Sequence, residues 1–453
     1  MRHFLQRAVL PDGPRDDVLV VVEDGRFVEV VPGAARPRRA LEVPGLTVPG
    51  LANAHSHAFH RALRGHTQAR SSAEPGSFWT WREQMYDVAE RLTPSTYLAL
   101  ARATYREMAA AGVTAVGEFH YLHHRGDGTP YDGAEGGPNA MGRALVRAAA
   151  EAGVRLTLLD ACYLAGGFDE PPAGVQVRYD DGSAAAWRRR VEALDAELAG
   201  RDGVLLGAAV HSVRAVPAPQ MATVADWARE HARPLHLHLS EQPAENEACL
   251  AATGLTPTGL AEREGLLGER STVVHATHLT DADVATLGAT RTRACFCPTT
   301  ERDLGDGVGP SVALRDAGAV LTLGSDSHAV IDPFEEMRAV ELDERLVTVR
   351  RGHWAAADLL RAAAYDGQAS LGWADAGRIE VGARADLVTL DDASVRTAGT
   401  GADVATAVWA ASAEDVVRTV VDGRVVARRA DRPAVGRELA AAIAAVRPPG
   451  ARR

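Results

Sequence analysis

Pro49-Gly50-Leu51-Ala52-Asn53-Ala54-His55-Ser56-His57 is a short, mostly apolar run that ends in two histidines. The imidazoles stand at i and i+2, so on a β-strand both project to one face and can grip a single metal ion from the strand's end. Three later segments close apolar runs in the same way: His238-Leu239-Ser240-Glu241, Val273-Val274-His275 and Gly324-Ser325-Asp326-Ser327-His328. Together they supply a third imidazole, a carboxylate ligand, an acid/base carboxylate and further histidines. Two histidines around a serine arise easily by chance. Four chemistry-bearing segments, each at the end of a strand pattern, do not.

Working outward from residues 46–54 as a first strand, seven more apolar runs follow at 115–119, 155–161, 205–210, 235–239, 272–275, 294–297 and 320–324. Alanine-rich amphipathic stretches such as 96–111, 140–152, 184–198 and 221–232 alternate with them. Eight strands, each followed by a helix or a long loop, predict an α/β fold of the (β/α)8 TIM-like barrel type. The histidines and carboxylates fall on strands one, five, six and eight, at the C-terminal ends where such barrels keep their chemistry. At both ends of the chain the pattern changes. Val18 to Val22, Asp24-Gly25 and Phe27 to Val31 read as a hairpin, and Val416 to Val421, Asp422-Gly423 and Arg424 to Val426 repeat the grammar. The expectation is a small β-sandwich domain built from residues 1–48 and 378–453, with the barrel spanning 49–377.

Composition narrows the function. The 453-residue chain carries a formal net charge of −11, which disfavours a sequence-independent grip on nucleic acid. No stretch reaches the ~20 apolar residues of a membrane span, and the N-terminus lacks a sustained apolar core. A soluble, non-exported protein with neither a nucleic acid nor a membrane partner is expected. All 49 basic residues are arginine. A chain without lysine cannot form the carboxylated lysine that bridges two metals in some hydrolases, which points to a mononuclear site. The four cysteines show no Cys-x-x-Cys spacing and read as reduced thiols of a cytoplasmic protein.

His55, His57, His238 and Asp326 make an N3O set suited to zinc or another borderline divalent ion. Glu241, three residues past His238, is placed to shuttle a proton between water and a leaving nitrogen. His275 can orient the attacking oxygen or polarise the reacting group, and Asp326 can serve as both ligand and proton acceptor. His120, His123, His124 and His278 also fall near strand ends and are assigned no role.

Pro-Gly-x-x-Asn-x-His-x-His at 49–57, His-x-x-Glu at 238–241, His275 and Ser325-Asp326-Ser327 resemble the amidohydrolase superfamily, in its mononuclear aminohydrolase branch. Within that branch, the segments 55–62, 78–86 (Phe-Trp-Thr-Trp-Arg-Glu-Gln-Met-Tyr), 118–124, 211–214 and 297–307 are similar to the formimidoylglutamate deiminases. The resemblance covers nearly the whole chain. It implies one zinc ion per chain, a homodimer, and hydrolytic deamination of N-formimino-L-glutamate to N-formyl-L-glutamate and ammonia. Such a substrate carries two carboxylates and an amidine, and arginine binds carboxylates bidentately. The resemblance accordingly places Arg82, Arg214, Tyr121, His211 and His60 against the substrate. The family pattern often carries glutamine at the position of His60, so histidine there either donates in its place or leaves that contact unmade. Competing readings are a deaminase of the same branch acting on guanine, an adenosine-like compound or a triazine, and a non-catalytic scaffold on the same fold.

Overall fold

A computed structural model of the protein describes residues 1–68 and 78–447, the side chains of 78–80 excepted. Phe78 and Trp79 of the aromatic segment therefore lie outside the described side chains. Four strands come first: β1 (Arg2–Leu10), β2 (Gly13–Glu23), β3 (Arg26–Val31) and β4 (Leu41–Pro49). Then follow β5 (Leu51–Ser56), β6 (Val113–His120), β7 (Arg155–Cys162), β8 (Val204–Ser212), β9 (Leu235–Leu239), β10 (Ser271–His275), β11 (Arg293–Phe296) and β12 (Val320–Leu323). The last three are β13 (Leu387–Leu390), β14 (Val416–Val421) and β15 (Arg424–Arg428).

Strands β5 to β12 form one eight-stranded sheet in chain order, all pairs parallel. This is the predicted barrel. Its strands are buried on both faces, which is why β6 and β7 read as mostly apolar runs rather than alternating ones. The barrel closes where β12 meets β5. There the backbone N–H groups of Ser325 and Asp326 donate to the His55 carbonyl at 3.1 and 3.0 Å, and His57 N–H donates to the Asp326 carbonyl at 3.3 Å. Asn53 locks this seam from below, its amide oxygen accepting from Ser325 N at 2.9 Å and its Nδ2 donating to Ser325 Oγ at 2.7 Å.

The first strand expected at 46–54 is in fact two. Residues up to Pro49 pair with β1 and β13, and residues from Leu51 pair with β6. Gly50 makes the transfer because a Cβ there would lie 2.5 Å from Cβ of Asp386 and from Oγ1 of Thr114.

The terminal strands form a single seven-stranded sheet, order β15-β14-β13-β4-β1-β2-β3, where two facing sheets of a sandwich were expected. The physical reason is that the barrel covers one face. Val9, Leu46, Val48, Val388 and Leu390 belong to the barrel's core, while Leu5, Val18, Val20 and Leu387 enclose a separate cluster with Ile379 and Ala385. Both hairpins turn as read, with positive φ at Asp24 (47°) and Gly25 (76°) and at Asp422 (46°) and Gly423 (76°). The C-terminal stretch is not all β. It ends in the helix Arg432–Val446, whose Val435 and Leu439 pack on Ala103 of the helix Pro94–Ala110. All four cysteines are buried and unpaired. No helix among the described residues is long and apolar enough to cross a membrane.

Candidate metal centre and the pocket above it

Each candidate ligand sits at the C-terminal end of a barrel strand, and the fold brings all four together. One ligand atom from each of His55, His57, His238 and Asp326 lies within 4.8 Å of the others, and all four residues are buried. Nε2 of His55 and Nε2 of His57 each stand 3.3 Å from Oδ1 of Asp326, and Nε2 of His238 stands 3.1 Å from Nε2 of His55. Ligand atoms arranged tetrahedrally around an ion at ~2.0–2.2 Å stand roughly 3.3–3.6 Å apart, so the spacing fits a divalent transition metal.

The outer contacts orient the rings. His57 donates its Nδ1–H to the Phe119 carbonyl at 2.9 Å, and His238 donates its Nδ1–H to the His211 carbonyl at 2.8 Å. Both bonds fix the tautomer with a bare Nε2 turned inward, as metal-ligating histidines require. Burial, reinforced by neighbouring imidazoles, holds His57 and His238 well below the usual histidine range, so both rings are neutral donors. Asp326 lies well below the carboxylate range: burial acts to raise it, and His55, His275 and His57 override that.

The candidate acid/base residues flank this set. Glu241 Oε1 stands 3.7 Å from Nε2 of His275, whose Nδ1 lies 3.5 Å from Oε1 of Glu301. Burial raises the Glu241 carboxyl. It pushes His275 down, but the carboxylates of Glu241, Glu301 and Asp326 reverse this and hold the ring well above its ordinary value. The strand ends carrying these groups are bent into left-handed backbone at non-glycine residues: Ser240 (φ 52°), His275 (71°), Ala276 (48°), Asp326 (39°) and His328 (58°). Such residues cost of order 1–3 kcal/mol each and cluster at functional sites. Backbone bonds hold them here, among them Ala276 N to the Leu239 carbonyl and His278 N to the Ser240 carbonyl, both 3.0 Å.

A pocket open to solvent lies over the cluster, and all five predicted substrate residues, Arg82, Tyr121, His211, Arg214 and His60, line it. Arg82 comes from the helix Phe78–Arg91 and lies over the Tyr86 ring, 5.6 Å from its centroid. Arg214 follows β8. Tyr86 and Tyr163, which flank the arginines, are braced by Gln176, whose Nε2 donates to their hydroxyls at 3.1 and 3.0 Å. His60 Nε2 and the Tyr121 hydroxyl are 3.0 Å apart, and burial lowers His60 to about 3, so it acts as a neutral ring.

Four carboxylates of this region escaped the sequence reading. Glu118, inside β6, accepts from Ser56 Oγ and from Ala58 N, both at 2.7 Å, and burial lifts it to about 8. Glu245 accepts from Glu241 N at 3.3 Å and faces Arg214. Glu301 orients His275, and Asp306 accepts from the Gln242 side chain. Glu301 and Asp306 lie in the 297–307 segment, whose acidic content was the available signal.

The chain matches the amidohydrolase family over residues 46–426. It is 37% identical over 397 residues to the formimidoylglutamate deiminase of Pseudomonas aeruginosa, covering 86% of this chain and 85% of that one. It is 30% identical over 431 residues to the 5-methylthioadenosine/S-adenosylhomocysteine deaminase of Natronomonas pharaonis, covering 93% and 92%. Among solved structures, an amidohydrolase from Brucella melitensis superposes with a TM-score of 0.89 at 30% identity, covering 98% of this chain and 99% of the other. The chain belongs to the amidohydrolase family.

Proposed function

We propose that the protein is a metal-dependent hydrolytic deaminase acting on N-formimino-L-glutamate. The observation that carries the substrate is the placement of two guanidiniums, Arg82 and Arg214, on the wall of the cavity that also contains the ligand cluster. Two guanidiniums in that position suit the two carboxylates of the proposed substrate. The 37% identity to a formimidoylglutamate deiminase supports the same reading.

His55, His57, His238 and Asp326 would hold the ion, and their N3O donor set favours one zinc per chain. When bound, such an ion lowers the pKa of water toward neutrality. The protein's own residues do the rest. Arg82 and Arg214 take the two carboxylates, with Tyr121, His211 and His60 completing the polar wall, so that the formimino carbon is held over the cluster. Glu241 or Asp326 accepts a proton from the attacking water, His275 steadies its oxygen, and Glu241 delivers a proton to the departing nitrogen. Water adds across C=N, the C–N bond to the terminal nitrogen breaks, and N-formyl-L-glutamate and ammonia leave. Four unpaired thiols support a reducing, cytoplasmic setting, and a homodimer is the assembly the family resemblance implies.

Five aromatic side chains on the same wall, Trp81, Tyr86, Tyr121, Tyr163 and Tyr179, together with the 30% identity to an adenosine-type deaminase, favour a second reading in which the substrate is a heterocycle. Ammonia release from N-formimino-L-glutamate, N-formimino-L-aspartate, guanine and adenosine separates the two. Turnover of the glutamate compound far above the rest is expected. Preference for a neutral heterocycle would overturn the substrate while leaving the family and the cluster in place.

A further inference from the structure

Beside the four-ligand cluster lies another. One ligand atom from each of Glu241, His275 and Asp306 lies within 4.8 Å of the other two, and all three residues are buried. Glu241 and His275 lie at the ends of β9 and β10, and Asp306 follows the helix Pro298–Leu304 that comes after β11. We propose that Glu241, His275 and Asp306 form a second, weaker divalent-metal site, distinct from the His55/His57/His238/Asp326 site, through which excess transition metal shuts the enzyme down.

Three features favour a ligand at this place. Asp306 is only 2% exposed, and one carboxylate oxygen accepts from the Gln242 amide while Oδ2 has no partner. A buried carboxylate oxygen left unpaired is costly unless something meets it. Next, His275 has the carboxylate–histidine arrangement that prepares a ring for a metal, with Glu301 Oε1 3.5 Å from Nδ1 and Nε2 turned toward Glu241. Finally, the site is tethered at the right span. Asp306's carbonyl accepts from His278 Nε2 at 2.7 Å, and the His278 carbonyl accepts from Asn246 Nδ2 at 2.5 Å, which laces the loops after all three strands together. Ligand atoms on one ion stand at most about 4.4 Å apart, so closure by a few tenths of an ångström suffices.

One imidazole and two carboxylates form a poorer site for zinc than three imidazoles and a carboxylate, so the second site fills after the first. Filling it occupies Glu241, the group assigned the proton transfers. The inhibition therefore rests on that assignment, whereas the binding does not.

The test is equilibrium dialysis of the full chain against rising Zn²⁺, counting ions per chain, with turnover followed in parallel. Wild type should bind one ion tightly and a second at roughly tenfold or more higher free Zn²⁺, with turnover falling as the second fills. Asp306→Asn keeps the oxygen that Gln242 binds and removes the anionic ligand, so basal turnover should persist while affinity for the second ion and Zn²⁺ sensitivity both drop by roughly tenfold or more. Glu241→Gln, judged by metal count alone, should lose the second ion as well. A single ion in wild type at saturating Zn²⁺, or a second ion bound equally well by both variants, would overturn the site. A second ion bound through these residues with turnover unaffected would overturn the inhibition. A protein that shows no deamination at all would sink the functional reading and leave the metal count to judge the site.

Discussion

Two of the buried clusters among the described residues consist of histidine and aspartate alone, and they differ in what balances the carboxylate. In one, His55, His57, His238 and Asp326 turn their ligand atoms toward a common point, and the carboxylate's ion-pair partners among the described residues are imidazoles. In the other, ligand atoms of His120, His123 and Asp160 come equally close, within the same 4.8 Å. There, however, Arg190 already supplies the cation. Its guanidinium donates to both oxygens of Asp160 and both oxygens of Asp181, each at 2.8 Å, and Trp187 Nε1 adds a bond to Asp160 at 3.0 Å. Burial would raise both carboxyls, but the guanidinium wins and holds them below their usual range. Residue type and burial are thus the same in the two clusters, and what separates the candidate metal centre from the ion pair is whether a fixed cation already balances the carboxylate.

The comparison breaks most sharply under mutation of the imidazoles. His238→Ala should abolish stoichiometric metal and reduce turnover by several orders of magnitude, whereas His123→Ala should keep its metal. Metal analysis of both purified proteins decides this, and metal retained by the His238 variant would contradict the assignment. Glu241→Gln should retain the first ion and lose about 10²–10⁴ in kcat, measured by ammonia release. A near-wild-type rate would remove Glu241 from the chemistry.

Arg190→Met tests the structural cluster. Leaving Asp160 and Asp181 buried without their cation should cost roughly 3–5 kcal/mol in chemical denaturation, with the metal content of the folded fraction unchanged. The same pair sets an acid limit. Because both carboxyls sit lower in the folded chain than in the unfolded one, their contribution is full above about pH 3.9 and is lost as pH falls below it. Wild type should therefore lose more stability on acidification than the Arg190 variant. The smallest effect belongs to the pocket wall, where Arg82→Met and Arg214→Met should raise KM roughly 10- to 100-fold with kcat largely kept. An unchanged kcat/KM would clear that arginine of substrate contact.

Much of this was legible in the sequence. The ligand end could be read because its signals are local: an i, i+2 histidine pair at a strand end, His238 three residues before Glu241, and Ser325-Asp326-Ser327 after an apolar run. The barrel was readable because its strands are buried on both faces and stand out as apolar runs. The break at Gly50 was not, because only the approach of Asp386 and Thr114 demands a glycine there, and both lie far away in sequence. Whether the terminal strands make one sheet or two was equally hidden, since the answer depends on the barrel covering one face. Glu118 reads as an interruption in an apolar strand until Ser56 and Ala58 are seen to hold it. Sequence left His123 without a role but could not supply the reason, because Arg190 lies 67 positions away, and only the fold shows that it fills the cluster.

The most direct test of the account follows metal content and turnover of N-formimino-L-glutamate in one sample through stepwise chelation and readdition of Zn²⁺. Turnover rising and falling in proportion to the first ion per chain, with neither restored in His238→Ala, is the expected result. Full turnover in metal-free protein, or a tight first ion in His238→Ala, would contradict it.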